Sequence, residues 1–129
     1  MVRRKDFLSP FEWEILNVIW DKKDEATVKE IWEFLYPEKE KAYTTVQTIM
    51  NILVEKRFLK KKKIGPVNLY SPITKRENAV SKEAGIFLEK VFNGSFQKMV
   101  NFMVGQGKLS KEDLEELKKM IEKKEKDGR

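Results

Sequence analysis

Lys41 to Lys63 reads KAYTTVQTIMNILVEKRFLKKKK, and its first two-thirds have the periodicity of one amphipathic helix, from about Tyr43 to Lys56. Val46, Ile49, Met50 and Leu53 recur at three- and four-residue spacing and share a face. At about 100° per residue the opposite face carries Thr44, Thr48, Asn51 and Glu55, with Gln47 on its shoulder. That outer face is short, uncharged in its first half, and rich in groups that both donate and accept hydrogen bonds. Four lysines, Lys60 to Lys63, follow almost at once. The segment holds seven Lys or Arg residues against one acid, Glu55, so its net charge of +6 equals that of the whole chain. A polar helix face beside concentrated positive charge suits double-stranded DNA: side chains meet base edges and cations meet phosphates.

At 129 residues with 40% apolar composition, the chain has room for one domain or two small ones and a modest core. No apolar run approaches eighteen residues, so no membrane insertion is expected. The opening MVRRKDFLSPFEWE has basic residues without an apolar stretch behind them, unlike a secretion signal, and a cytoplasmic location is expected. There is no Cys and no His. Thiol nucleophiles, Ser-His and Cys-His pairs, zinc fingers and disulfides are therefore excluded. Neither a metal site nor a cofactor is expected, and an enzyme is not. Gly105-Gln106-Gly107 is a lone G-x-G without a strand before it and reads as a turn.

Outward from the central helix, the N-terminal side supplies two more. Ser9, Pro10 and Glu12 form a helix start with a capping box. The helix runs to about Trp20 and has Trp13, Leu16 and Trp20 on one face, widened by Ile15 and Ile19. Asp21 to Glu25 is a polar loop. Thr27 and Glu30 repeat the capping-box spacing, Val28, Ile31, Trp32 and Leu35 make a buried stripe, and Pro37 ends the element. On the C-terminal side, Phe58 to Ile64 and Val67 to Ser71 read as strands joined by a Gly65-Pro66 turn and stopped by Pro72. Three helices followed by a basic hairpin is the order of a winged helix-turn-helix with its third helix in the major groove. Lys61 and Lys63 share one side of the outgoing strand, and Lys60 and Lys62 share the other with Phe58 and Ile64.

From Thr74 the pattern becomes helical again. Val80, Ala84, Phe87, Leu88 and Val91 form a stripe ending near Asn93-Gly94. Ser95 caps a second helix, Phe96 to Val104, with Phe96, Met99, Val100 and Met103 on one face. Ser110 and Asp113 open a third, with Leu114, Leu117 and Ile121 as its stripe, and the charged tail Lys123 to Arg129 is expected to fray. Three short amphipathic helices are too few to close a core alone, so a homodimer built through residues 75–122 is expected. The fold class is thus mainly α: a winged helix over residues 1–73, then a three-helix dimerisation region over 74–129.

These residues carry a resemblance to the penicillinase (β-lactamase) and methicillin-resistance repressor family. It lies in Leu8-Ser9-Pro10-Phe11-Glu12-Trp13-Glu14-Ile15, Val18-Ile19-Trp20, and Ala26-Thr27-Val28-Lys29-Glu30-Ile31. Tyr43-Thr44-Thr45-Val46-Gln47-Thr48 resembles that family's recognition-helix start, and Leu69-Tyr70-Ser71-Pro72 the end of its wing. Phe92-Asn93-Gly94-Ser95 and Leu109-Ser110 through Leu114-Glu115-Glu116-Leu117 also fit, in the right order, so the resemblance spans Leu8 to about Lys124. It implies a homodimeric transcriptional repressor on inverted-repeat operators of the TACA…TGTA kind. It also implies a functional link to a membrane-bound β-lactam sensor protease that triggers cleavage of an Asn–Phe bond. Asn101-Phe102 stands at the corresponding place.

Three features depart from the family pattern. Arg57 replaces the glycine common after the recognition helix, Ile52 replaces a common Arg, and the absence of Cys rules out the copper-responsive relatives' release mechanism. The DNA-contacting set expected from residues and resemblance together is Tyr43, Thr44, Thr45, Gln47, Thr48, Asn51, Arg57 and Lys60, Lys61, Lys62 and Lys63. Gln47 and Asn51 can each pair bidentately with adenine, and Thr44 and Thr48 can bond base edges or touch a thymine methyl. Three alternatives stay open: Thr44 and Thr45 as helix caps, Gln47 and Thr48 as inert surface, and the lysines as a solvated strand face. The dimerisation set is Phe87, Leu88, Val91, Phe96, Met99, Val100, Met103, Leu114, Leu117 and Ile121. Competing functions are a regulator of the same fold answering a different signal without cleavage, and a winged-helix module for protein or RNA.

Overall fold

Two capping boxes start the fold. In the computed structural model, which describes residues 7–22 and 25–127, Ser9 Oγ accepts from the Glu12 N–H at 3.2 Å and Glu12 Oε1 accepts from the Ser9 N–H at 2.7 Å. Helix α1 (Pro10–Lys22) follows, reaching two residues past Trp20. Thr27 and Glu30 repeat the reciprocal pair at 2.8 and 3.1 Å and open α2 (Val28–Leu35). Each box satisfies N–H groups that have no partner inside a helix. Lys23 and Asp24 of the loop read between them, the N-terminal stretch before Phe7, and Gly128-Arg129 of the tail lie outside the described residues.

The third helix, α3 (Tyr43–Glu55), packs against α1 and α2 through Val46, Met50 and Leu53, all buried. It ends in a Schellman motif. Lys56 is the cap, Arg57 N–H donates to Val54 O at 3.0 Å, and Phe58 N–H donates to Leu53 O at 3.0 Å. Arg57 has φ +70°, so the left-handed position is kept although its residue is not glycine.

The hairpin β1 (Leu59–Ile64) and β2 (Val67–Pro72) turns at Gly65, φ +60°, where glycine pays no Cβ penalty. The two-residue turn sets the register: Ile64 faces Val67, Lys61 faces Tyr70 and Leu59 faces Pro72. Leu59 and Tyr70 go into the core with Ile15, Leu16, Ile19, Ile31, Met50 and Leu53. Ala26, just before α2, adds a short antiparallel bridge to Tyr70, with backbone bonds of 2.9 and 2.8 Å. The expected winged helix-turn-helix is the observed one.

The remaining helices are α4 (Arg76–Phe92), α5 (Phe96–Gly105) and α6 (Lys111–Lys126). Asn93 and Gly94, φ +53° and +80°, end α4; Ser95 caps α5; Ser110 and Asp113 form a third capping box. The tail is helical as far as Lys126. The chain divides into two compact units, up to Glu83 and from Ala84 onward, a division that falls inside α4. Within the second unit Phe92 lies 5.9 Å from Phe87 and 6.0 Å from Phe102, ring centre to ring centre. Neither α5 nor α6 buries a residue.

Candidate nucleic-acid interface

The entry to α3 is held by a neighbouring helix rather than by its own side chains. Trp32 of α2 donates its indole N–H to Lys41 O at 2.7 Å, and its ring meets Tyr43 edge-on at 5.7 Å. Ala42 is the N-cap, with no side-chain cap bond. Thr44 and Thr45 therefore do not cap the helix, and their side chains are exposed. The N–H groups of Tyr43 and Thr44 precede the first intrahelical bonds, at the positive end of the helix dipole.

Thr44, Thr48 and Asn51 follow at i, i+4 and i+7 along one side of α3. The two threonines are exposed, whereas Asn51 is half-buried. Its Oδ1 accepts from the Tyr70 hydroxyl at 2.9 Å and from Lys61 Nζ at 3.1 Å. Burial pushes the Tyr70 phenol above its ordinary value, so the hydroxyl keeps its proton and remains a donor at neutral pH. Gln47 lines a hollow of about 430 Å³ with Thr27, Lys29, Tyr43, Tyr70 and the wing residues Pro66 to Asn68. Helix and wing thus flank one concave surface, to which α3 contributes Tyr43 and Gln47.

All four lysines of β1 are exposed. They are not equivalent. Lys61 is turned toward α3, its Nζ bound to Asn51 and 6.0 Å from the Tyr70 ring centre. Lys60 and Lys62 alternate to the other face of the strand. Arg57 is exposed two residues before β1, and half-buried Ile52 leaves no cation at that position.

Three contributors gave no sequence signal of their own. Tyr70 sat in the block matched to the wing, yet it joins α3, β1 and the segment before α2. The Gly65-Pro66 turn already implied its pairing with Lys61, and that register is the clue that could have found it. Trp32 read as core, but its N–H fixes the approach to α3. Glu12 read as a cap, but Lys56 Nζ also lies 2.9 Å from each of its carboxylate oxygens.

In the second unit the expected dimerisation residues are spread over three helices. Phe87, Val91, Phe96, Met103, Leu114 and Ile121 are exposed in the single chain, and Leu88, Met99, Val100 and Leu117 are half-buried. Asn101 and Phe102 lie inside α5, both exposed. Among the described residues no cluster of three or more His, Cys, Asp or Glu is placed to hold a metal ion, and no helix is long and apolar enough to cross a membrane.

Comparison with known proteins converges on one family. The family described as Penicillinase repressor matches residues 8–123. The methicillin resistance regulatory protein MecI of Staphylococcus aureus (strain N315) is 31% identical over 91% of this chain and 94% of its own length. The Penicillinase repressor of Staphylococcus aureus is 27% identical over 94% of this chain and 95% of its own. Among solved structures, the DNA-binding domain of the repressor BlaI superposes with a TM-score of 0.51 at 26% identity, covering 60% of this chain and 93% of that one.

Proposed function

The chain belongs to the penicillinase repressor family, and from that premise we propose that it is a transcriptional repressor that binds inverted-repeat operator DNA as a homodimer. The observation that carries this is the pairing of an exposed, uncapped Thr44-Thr45-Thr48 surface on α3 with four exposed lysines on the adjoining strand. The helix surface contacts base edges, with Gln47 and Asn51 beside the threonines, and Arg57 and the lysines contact phosphates. The free N–H groups at Tyr43 and Thr44 are oriented for a phosphate at the helix N-terminus.

A second copy of the chain covers the C-terminal helices. Support for this comes from α5 and α6, in which no residue is fully buried in the single chain, while Phe96 is 62% exposed and Ile121 52%. Full burial of such a side chain is worth ~1.5–3 kcal/mol, and covering the exposed part that remains contributes roughly half of that. Joining two winged helices adds affinity through effective concentration and sets the half-site spacing near one DNA turn. Proteolysis between Asn101 and Phe102 ends repression. Phe102 is 52% exposed, and a helix with so little burial unwinds locally at small cost. A membrane-bound β-lactam sensor protease is the functional partner of that step.

A gel shift on an inverted-repeat TACA…TGTA duplex, against random duplex and RNA of equal length, tests the reading. Preference for the inverted repeat, with a dimer by sedimentation at micromolar concentration, is the expected result. Equal binding to all three nucleic acids overturns the sequence-specific repressor, and a monomer at that concentration overturns the dimer.

A further inference from the structure

We propose that Asn51 reads the DNA groove as a hydrogen-bond donor alone, with Lys61 and Tyr70 as the positioning residues that hold its amide in that sense. The proposal rests on the DNA-binding reading above and deepens it. It starts from the chemistry of the two neighbours. A lysine ammonium carries only donors, so the amide atom facing Lys61 Nζ at 3.1 Å is the oxygen. The Tyr70 hydroxyl donates to the same oxygen at 2.9 Å. A carbonyl oxygen has two lone-pair positions, and both are taken.

The amide nitrogen is left. Among the described residues none bonds to it, and no buried side-chain nitrogen or oxygen lacks a partner, so Nδ2 is not sealed from solvent and its hydrogens are uncommitted. A bidentate adenine contact needs the amide to accept from N6 and donate to N7 at once. Accepting from N6 would cost Asn51 a bond already made, one of them to a charged donor. A locked amide instead matches acceptor edges, guanine O6 and N7 or thymine O4, and opposes the cytosine N4 amine. A phosphate oxygen is also an acceptor. Asn51 nevertheless lies on the same side of α3 as the exposed Thr44 and Thr48, so a base edge is the favoured contact.

The test uses the full chain and a set of inverted-repeat duplexes carrying every single base-pair substitution in one half-site. Wild type is compared with Asn51→Ala, Tyr70→Phe and Lys61→Met by competition binding. Wild type should disfavour cytosine at one position by roughly threefold to tenfold, the worth of a single hydrogen bond. Asn51→Ala should erase that preference there and nowhere else. Tyr70→Phe and Lys61→Met free the oxygen, so both should shift that same position toward adenine and leave the others unchanged. Lys61 is on the exposed wing, so Lys61→Met decides the matter if Tyr70→Phe unfolds.

Three results overturn the proposal while leaving the repressor reading intact: selection of adenine at that position by wild type, an even loss on every duplex with Asn51→Ala, which marks a phosphate contact, or an unmoved base profile with Lys61→Met. If wild type does not distinguish the inverted repeat from random duplex, the repressor reading fails and takes this proposal with it.

Discussion

Lys56 Nζ lies 2.9 Å from both carboxylate oxygens of Glu12, fastening the C-terminal end of α3 to the first turn of α1. The pair is largely shielded, with side chains 17% and 6% exposed. Glu12 also accepts from the Ser9 N–H, and Lys56 Nζ donates to Phe7 O at 2.8 Å, so the four groups satisfy one another. Removing one partner of a shielded pair leaves the other charged and unpaired, which is costlier than the pair itself is favourable. Lys56→Met should therefore destabilise the winged helix by roughly 3 kcal/mol in urea or thermal unfolding. A loss below ~0.5 kcal/mol would assign the pair to the class of surface bridges with no measurable effect.

Arg57 trades stability for charge. Its φ of +70° is strained for a residue with a Cβ, and glycine relieves it. Arg57→Gly should raise stability by about 1 kcal/mol. The same change removes a cation beside the wing, so DNA affinity should fall and the salt slope should shrink by about 0.9. Unfolding and salt-titrated binding on one protein preparation check both signs. Higher stability with undiminished binding would remove Arg57 from the phosphate contacts.

Base readers and backbone anchors should separate by mutation. Gln47→Ala removes a polar head beside the recognition surface and should narrow the affinity gap between operator and random duplex. Lys62→Ala removes an exposed wing charge and should weaken both duplexes alike with a shallower salt dependence. Identical behaviour of the two variants on the two duplexes contradicts the division of labour.

A chain ending at Asn101 lacks α6 and the end of α5 but retains every residue of the winged helix. It should sediment as a monomer and bind a single half-site about as well as the full chain. On the complete inverted repeat it should lose the gain from linking two sites, roughly a hundredfold or more. Dimerisation at undiminished strength would show that residues beyond Asn101 contribute nothing to assembly.

Much of this molecule was readable as text. The three capping boxes are local devices, spaced by one helical turn, and Ser9/Glu12, Thr27/Glu30 and Ser110/Asp113 all close as their spacing demands. The buried stripe Val46, Met50, Leu53 follows from 3.6-residue periodicity. The hairpin register follows from a two-residue turn. In each instance the partners are near in sequence, so short-range geometry settles the outcome.

The roles of Asn51, Lys61 and Tyr70 were of another kind. As letters, Asn51 was one more amide on an outer face, and strand alternation could only sort Lys61 with Lys63 on one side of the wing. The fold brings Tyr70 and Lys61 onto the Asn51 oxygen from residues 19 and 10 positions away, and Lys56 onto Glu12 across 44. The chain's own letters determined which elements form and where positive charge accumulates, because helix periodicity, capping and turn chemistry act over a few residues. Which amide atom faces outward, and which lysine is tied to the helix, was decided only when the β1–β2 hairpin closed against α3, because a hydrogen bond depends on distance and direction in space, and chain separation constrains neither.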